Sequence, residues 1–303
     1  MATPQMDDGN HRYGGPWSEW KVQAVSDYLD AYLNITDNRG FTRWYIDAFA
    51  GSGTRLASGS AIEGQALIEG ASEEVKLLHK GSALRALEKR FERFLLVDND
   101  KAKVDGLRAH AQDAGKEHLA TIIEGDACDT IVKWCSNLAP QSMDRAVVFV
   151  DPYGTNAEWR MIEALAKTGR ADVFILVPTR LLTQFMTKRY EDVHPNHVER
   201  LDSFFGNRSW STELYKPQPI QQNIFFTPEE EMSRTASAQG IIDHYKNRLR
   251  SIFRGGVSEN VRWLCNSAGG SMFGLVFAVA NASEKACVKA IRVADHILGK
   301  PPG

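Results

Sequence analysis

Short apolar runs alternate with segments of helical periodicity through the first part of the chain. Ser18 is placed to cap a helix running to about Asn34, on which Ala24, Val25, Tyr28, Leu29, Tyr32 and Leu33 recur at helical spacing. Asn34 to Gly40 reads as a turn. Tyr45 to Ala50 is an apolar run ending in Gly51-Ser52-Gly53, the pattern of a buried strand running into a small-residue turn. A loop of Ser, Gly and Ala from Arg55 to Gly64 leads to helical stretches from Gly64 to about His79 and from Ala83 to Arg90. Then come a strand at Phe94–Asp98, a helix at Lys101–Ala114, a strand at Thr121–Asp126 and a helix at Thr130–Leu138. A strand at Ala146–Asp151, a helix at Glu158–Thr168 and a strand at Asp172–Val177 complete the series. This alternation predicts an α/β fold, a mostly parallel sheet with helices on both faces and right-handed connections.

Pro178 to about Arg254 breaks the rhythm. It holds a helix near Leu181–Arg189, a polar Pro-containing stretch and a long helix, Ala236–Phe253, with Ile241, Ile242, Tyr245, Leu249 and Phe253 at helical spacing. Val261–Asn266 and Met272–Ala280 flank Ala268-Gly269-Gly270 as a hairpin, and Ser283 is placed to cap a last helix to Leu298. The expected organisation is a polar, disordered N-terminus over residues 1–15, a core formed by 16–178 and 258–303, and an insertion over 179–257 that serves substrate or partner.

The 303 residues are 43% hydrophobic and 24% charged, an ordinary globular profile, with a formal net charge of −2 that neither selects nor excludes a polyanion. No apolar run reaches the ~18 residues of a membrane span, and the N-terminus has no apolar signal core. Cys128, Cys135, Cys265 and Cys287 form no Cys-x-x-Cys, so they read as reduced thiols of a cytoplasmic protein rather than metal ligands. The densest basic region carries Lys76, Lys80, Arg85, Lys89, Arg90 and Arg93. It reads as a solvated helix face, with phosphate contact as the alternative. His194-Pro-Asn-His197 lacks further ligands and reads as a loop, so no metal is expected.

Four successive strands end with an acid: Asp47, Asp98, Asp126 and Asp151. The carboxyl ends of an open parallel sheet share one crevice, so four carboxylates are expected to line a cleft for a polar ligand. A carboxylate inside an apolar run, as Asp47 is, needs a cation or hydrogen-bond donors. Asp98 is placed to accept both hydroxyls of a ribose. It lies roughly twice as far beyond the glycines as the ~20 residues usual in dinucleotide folds, which weighs against a nicotinamide cofactor. Asp151-Pro152-Tyr153-Gly154 supplies a carboxylate, a backbone carbonyl and a ring. These are the parts needed to position an exocyclic base amine and stack the extruded base. A strand end turned by Pro and Gly without a ligand is the alternative reading.

Ile46-Asp-Ala-Phe-Ala-Gly-Ser-Gly53 resembles the first motif of S-adenosylmethionine (SAM) methyltransferases of the Rossmann-like class, whose sheet also ends in an antiparallel hairpin. The resemblance implies SAM as cofactor. Phe49, Ala50, Gly51, Ser52 and Gly53 would form its loop, Asp47 would meet the methionine ammonium, Asp98 and Asn99 the ribose, and Asp126 and Ala127 the adenine. Asp151-Pro-Tyr-Gly154 is similar to the Asp/Asn-Pro-Pro-Tyr/Phe motif of amino-group nucleic-acid methyltransferases, less one proline, and to the corresponding motif of tRNA guanine-N2 dimethyltransferases. Asp151, Pro152 and Tyr153 are the catalytic candidates.

The order of motifs resembles the three-Cys-motif partner (TcmP) family most closely. The matching pieces are Trp17-Ser-Glu-Trp-Lys21, Tyr45–Gly53, Gly64-Gln-Ala-Leu67, Gly125-Asp126, Val148–Gly154 and Asp172 with its strand, over about residues 17–180. The resemblance implies a SAM methyltransferase-like fold and a separate, radical-SAM-like companion polypeptide with three cysteines. Three readings follow. The first is a methyltransferase acting on an exocyclic amine of RNA or DNA. The second is a non-catalytic SAM-binding subunit serving that companion. The third is a Mg²⁺-dependent nuclease built on the acid cluster.

Overall fold

The structure, a computed structural model, describes residues 16–51, 81–219, 230–266 and 268–300. The expectations for residues 1–15, Ser52, Gly53, the 55–64 loop and the 64–79 helix with Lys76 and Lys80 lie outside these.

The first half runs α1 Pro16–Thr36, β1 Thr42–Asp47, α2 Ser82–Leu87, β2 Arg93–Asp98, α3 Lys101–Asp113, β3 Ala120–Glu124, α4 Ala127–Ser136, β4 Asp144–Val150, α5 Trp159–Thr168 and β5 Ala171–Val177. The remainder holds α6 Thr179–Phe185, a 3₁₀ turn at Tyr190–Asp192, α7 Pro195–Phe205, α8 Trp210–Glu213, β6 Tyr215–Pro219 and β7 Glu230–Arg234. It ends with α9 Ala238–Arg250, β8 Arg262–Cys265, β9 Ser271–Val279 and α10 Glu284–Leu298.

Seven strands form one sheet in the order β3-β2-β1-β4-β5-β9-β8, and β6 pairs with β7 in a separate two-stranded sheet. The first five strands are parallel, while β9 runs antiparallel to both β5 and β8. This is the Rossmann-like, class I methyltransferase arrangement with a terminal hairpin.

The sheet is buried on both faces, and alternate residues of each strand serve opposite faces. Ile46, Leu95, Val97, Ala146, Val148, Val173 and Ile175 pack against α4, α5, α9 and the apolar residues of the 182–257 segment. Tyr45, Phe94, Leu96, Val147, Phe149, Phe174 and Leu176 pack against α1, α2, α3 and α10. Tyr28 anchors α1 by meeting Phe174 edge-on at 5.0 Å and Phe277 at 4.8 Å. Tyr28 is 2% and Leu29 1% exposed, and such side chains contribute about 1.5–3 kcal/mol each through burial. Tyr28 also donates its hydroxyl to Asp172 Oδ2 at 2.8 Å.

Some expectations change. Helix α1 begins at Pro16, so Ser18 lies within it rather than capping it. Strand β3 stops at Glu124, two residues short of Asp126, whose side chain instead accepts from Asp129 N at 2.8 Å and caps α4. The helix expected near Leu181–Arg189 is Thr179–Phe185. Helices α7 and α8 and the β6–β7 pair occupy the stretch that the sequence reads only as polar and Pro-containing. Arg85 and Lys89 of the basic stretch reach across to α1, donating to Gln23 at 2.9 Å and Asp30 at 2.5 Å.

Candidate functional site

The site grows from register. Asp47 lies opposite Leu96 on one neighbouring strand and Phe149 on the other. Asp98 and Asp151 come two residues after those partners, and a two-residue step returns the side chain to the same face. Asp47, Asp98 and Asp151 therefore share the α1–α3 face, with the outer two one pleat beyond the central one.

The chain after β1 stays in this frame. Ala48 N donates to Phe149 O at 3.1 Å and Ala50 N to Val97 O at 2.8 Å, so the loop threads between β4 and β2. Gly51 then turns with φ 66°, a conformation side chains disfavour, and its N–H donates to Asp98 Oδ2 at 3.0 Å. Gly125 N donates to Asp98 O at 3.0 Å and ties in the β3 end. Phe49 is half-buried, Ala50 and Ala127 are buried, and Asn99 is exposed beside Asp98.

Asp47 is wholly buried. Tyr45 Oη donates to its Oδ2 at 3.0 Å and Ser82 Oγ to the same oxygen at 2.8 Å, while Phe49 N donates to Oδ1 at 3.3 Å. Donors thus meet the need the apolar run imposed. Burial pushes its carboxyl up to about 6; Ser82 opposes this, and the neighbouring Asp151 adds to it.

Asp98, 5% exposed, accepts Asp100 N on Oδ1 at 3.0 Å, and the Lys103 ammonium lies 3.4 Å from the same oxygen. That ammonium also sits 4.8 Å above the centroid of the Tyr153 ring. Burial works against the charge on Lys103, but Tyr153, Asp98 and Asp100 outweigh it and raise its pKa. Burial raises the Tyr153 hydroxyl as well, opposed by Lys103.

Asp151 is 2% exposed and Pro152 is buried, Tyr153 is half-buried, and Gly154 turns at φ 63° against Leu181 of α6. Asp126 is exposed at the rim, where Arg160 lies 3.8 Å away. Cys128, behind it, donates to Asn156 O at 3.4 Å, and burial pushes its thiol up to about 11.

Three residues the motifs did not single out complete the arrangement: Tyr45, Ser82 and Lys103. Tyr45 was legible, because two residues before a buried acid means the same face. Ser82 and Lys103 reach the site through tertiary packing. His194 Nδ1 accepts Asn196 N and caps α7, and His197 stacks on Phe185 at 4.2 Å. Among the described residues no group of His, Cys, Asp and Glu is arranged to hold a metal ion, and no helix is long and apolar enough to cross a membrane.

No family model and no curated protein matches the chain. Among solved structures, protein LPL1258 from Legionella pneumophila is 12% identical, covering 96% of this chain and 95% of that chain with a TM-score of 0.47. The O-methyltransferase from Bacillus cereus, solved in complex with SAH, is 11% identical, covering 90% and 94% with a TM-score of 0.38. A SAM-dependent methyltransferase from Clostridium acetobutylicum is 11% identical, covering 84% and 91% with a TM-score of 0.33.

Proposed function

We propose that the protein is a SAM-dependent methyltransferase that methylates an exocyclic amine of a base in RNA or DNA. The observation that carries this reading is the convergence of Asp47, Asp98 and Asp151 on one face at the sheet's carboxyl edge, with Tyr153 joined to Asp98 through Lys103. The donor set fits the cofactor. Among the described residues Asp98 is held by Gly51 N, Asp100 N and the Lys103 ammonium, with an acceptor position left on Oδ2 for a ribose hydroxyl. Asp47 retains acceptor capacity on Oδ1 for an ammonium. Asp126, Ala127 and Asn99 border the place of the adenine and ribose. SAM, when bound, supplies an electrophilic methyl group on sulfur.

The chain's own residues do the positioning. An exocyclic amine is a poor nucleophile because its lone pair is delocalised into the ring. Asp151 and the Pro152 carbonyl accept its two N–H bonds and favour the charge that develops as nitrogen attacks, while Tyr153 stacks the base and fixes the approach. The buried position of Asp151 excludes competing water. The 179–257 segment, whose α6 touches Gly154 through Leu181, is the proposed place of acceptor selection. The motif order further supports placement beside the TcmP family, with a three-cysteine companion as a separate chain.

Calorimetry of the full chain with S-adenosylhomocysteine (SAH), the demethylated product, tests this: binding is expected, and none by a folded sample ends the reading. Asp151→Ala, which removes the acceptor altogether, should keep SAH binding while lowering turnover on RNA or DNA by on the order of 10²–10³-fold. Loss of both would reassign Asp151 to the cofactor.

A further inference from the structure

Lys103 stands between the two halves of the site. Its ammonium is 3.4 Å from Asp98 Oδ1 and 4.8 Å from the Tyr153 ring centroid, and its side chain is 23% exposed. A carboxylate offers about four acceptor positions. Among the described residues, Gly51 N takes one on Oδ2, and Asp100 N and Lys103 take two on Oδ1. One position remains, on Oδ2. A ribose presents two vicinal hydroxyl donors, so gripping both requires the one position whose occupant is a flexible side chain rather than backbone. Gly51 N and Asp100 N are fixed by the chain; Lys103 sits on a stem of four methylenes and already has a second partner in reach.

We propose that Lys103 is a positioning residue, displaced from Asp98 by a docking ribose diol and kept by Tyr153, whose ring its ammonium already faces at 4.8 Å. The proposal rests on the methyltransferase reading. The displacement has two consequences. Lys103 competes with the ribose for Asp98, so it weakens nucleoside binding while the acceptor site is unprepared. Once released, its charge is held by one face of the Tyr153 ring, which fixes that ring and leaves its opposite face for a planar acceptor. Cofactor then binds before acceptor, and occupancy of the first site readies the second.

Calorimetry with SAH on the full-length wild type, Lys103→Met and Lys103→Arg reads the first consequence. Lys103→Met removes the competitor and should bind SAH about fivefold tighter, the equivalent of one partly exposed ion pair. Lys103→Arg, which keeps the charge, should stay close to the wild type. The second consequence is read by ¹³C NMR of protein whose lysines are reductively dimethylated, which preserves their charge. The Lys103 resonance, assigned by its absence in Lys103→Met, should move further upfield on adding SAH, as release from Asp98 lets its methyl groups close on the Tyr153 ring they already face. A folded Lys103→Met that binds SAH no tighter than the wild type, or a Lys103 resonance unmoved at saturation, overturns the displacement alone. Failure of the wild type to bind SAH overturns the methyltransferase reading and the displacement with it.

Discussion

Asp47 gives the sharpest test of the site, because burial holds its carboxyl at about 6 against an ordinary carboxylate value of about 3.8. If a ligand ammonium docks against Oδ1, the charged form is favoured and the carboxyl returns toward its ordinary value in the complex. The full return, from about 6 to about 3.8, is worth about 3 kcal/mol, or a factor of roughly 150 in affinity. The sign follows from linkage: the free protein holds a proton that the complex releases, so binding tightens as pH rises from roughly 4 to 6 and is flat above that. Calorimetry with SAH at pH about 5, 6 and 7.5, repeated in buffers of different ionisation enthalpy, measures both the slope and the proton released. Asp47→Asn removes the titrating group and should flatten the profile, which separates Asp47 from the ligand's own ionisations. A wild-type profile as flat as the variant's, or a variant that keeps the wild-type slope, would refute the ammonium contact. Folding has the opposite dependence. With the folded pKa above the unfolded one, ionisation of Asp47 draws stability down across the same window by the same ~3 kcal/mol. Urea midpoints of the ligand-free protein should therefore fall as pH climbs through roughly 4 to 6.

Two further outcomes concern the frame that holds the site. Gly206 ends α7 at φ 81°, and an added Cβ would lie 2.2 Å from Trp159 Cγ, so Gly206→Ala should cost about 2–5 kcal/mol, read as a lower urea midpoint. Tyr28→Phe strips Asp172 of its 2.8 Å donor, and burial already pushes that carboxyl up to about 6. The loss should be about 1–3 kcal/mol above pH about 6 and should shrink toward pH about 4, where the carboxyl is protonated; equal loss at both ends would exclude Asp172 as the cause.

Periodicity made most of the core legible, since strands buried on both faces read as unbroken apolar runs and the helices between them carry a 3.6-residue stripe. The terminal hairpin was legible for the same reason, with Ala268-Gly269-Gly270 as its turn. Asp126 reads as a strand end because Ile122 and Ile123 are apolar and the acid follows Gly125. Its capping of α4 depends on a local bond to Asp129 N that competes with strand continuation. Strand β6 carries Pro217 and Pro219, residues that argue against a strand in sequence and are tolerated in a two-stranded ribbon. Helix α7 had its signal, Pro195 at the first turn and Val198, Leu201 and Phe205 at helical spacing, obscured by the histidines around it. Lys103 was invisible as a site residue because its partners, Asp98 and Tyr153, meet only through the strand order.

The two-residue beat that aims three carboxylates at one side also decides which kinds of genetic change this protein can absorb. Exchanging one apolar residue for another within β2 or β4 leaves the beat intact. Deleting a single codon between Phe94 and Asp98, or between Val147 and Asp151, would invert it and drive a negative charge into the packing layer beneath α4 and α5. Such a chain would lose its fold and its acid together. Length within these strands is therefore the property under the strictest constraint, ahead of the identity of almost any residue they contain.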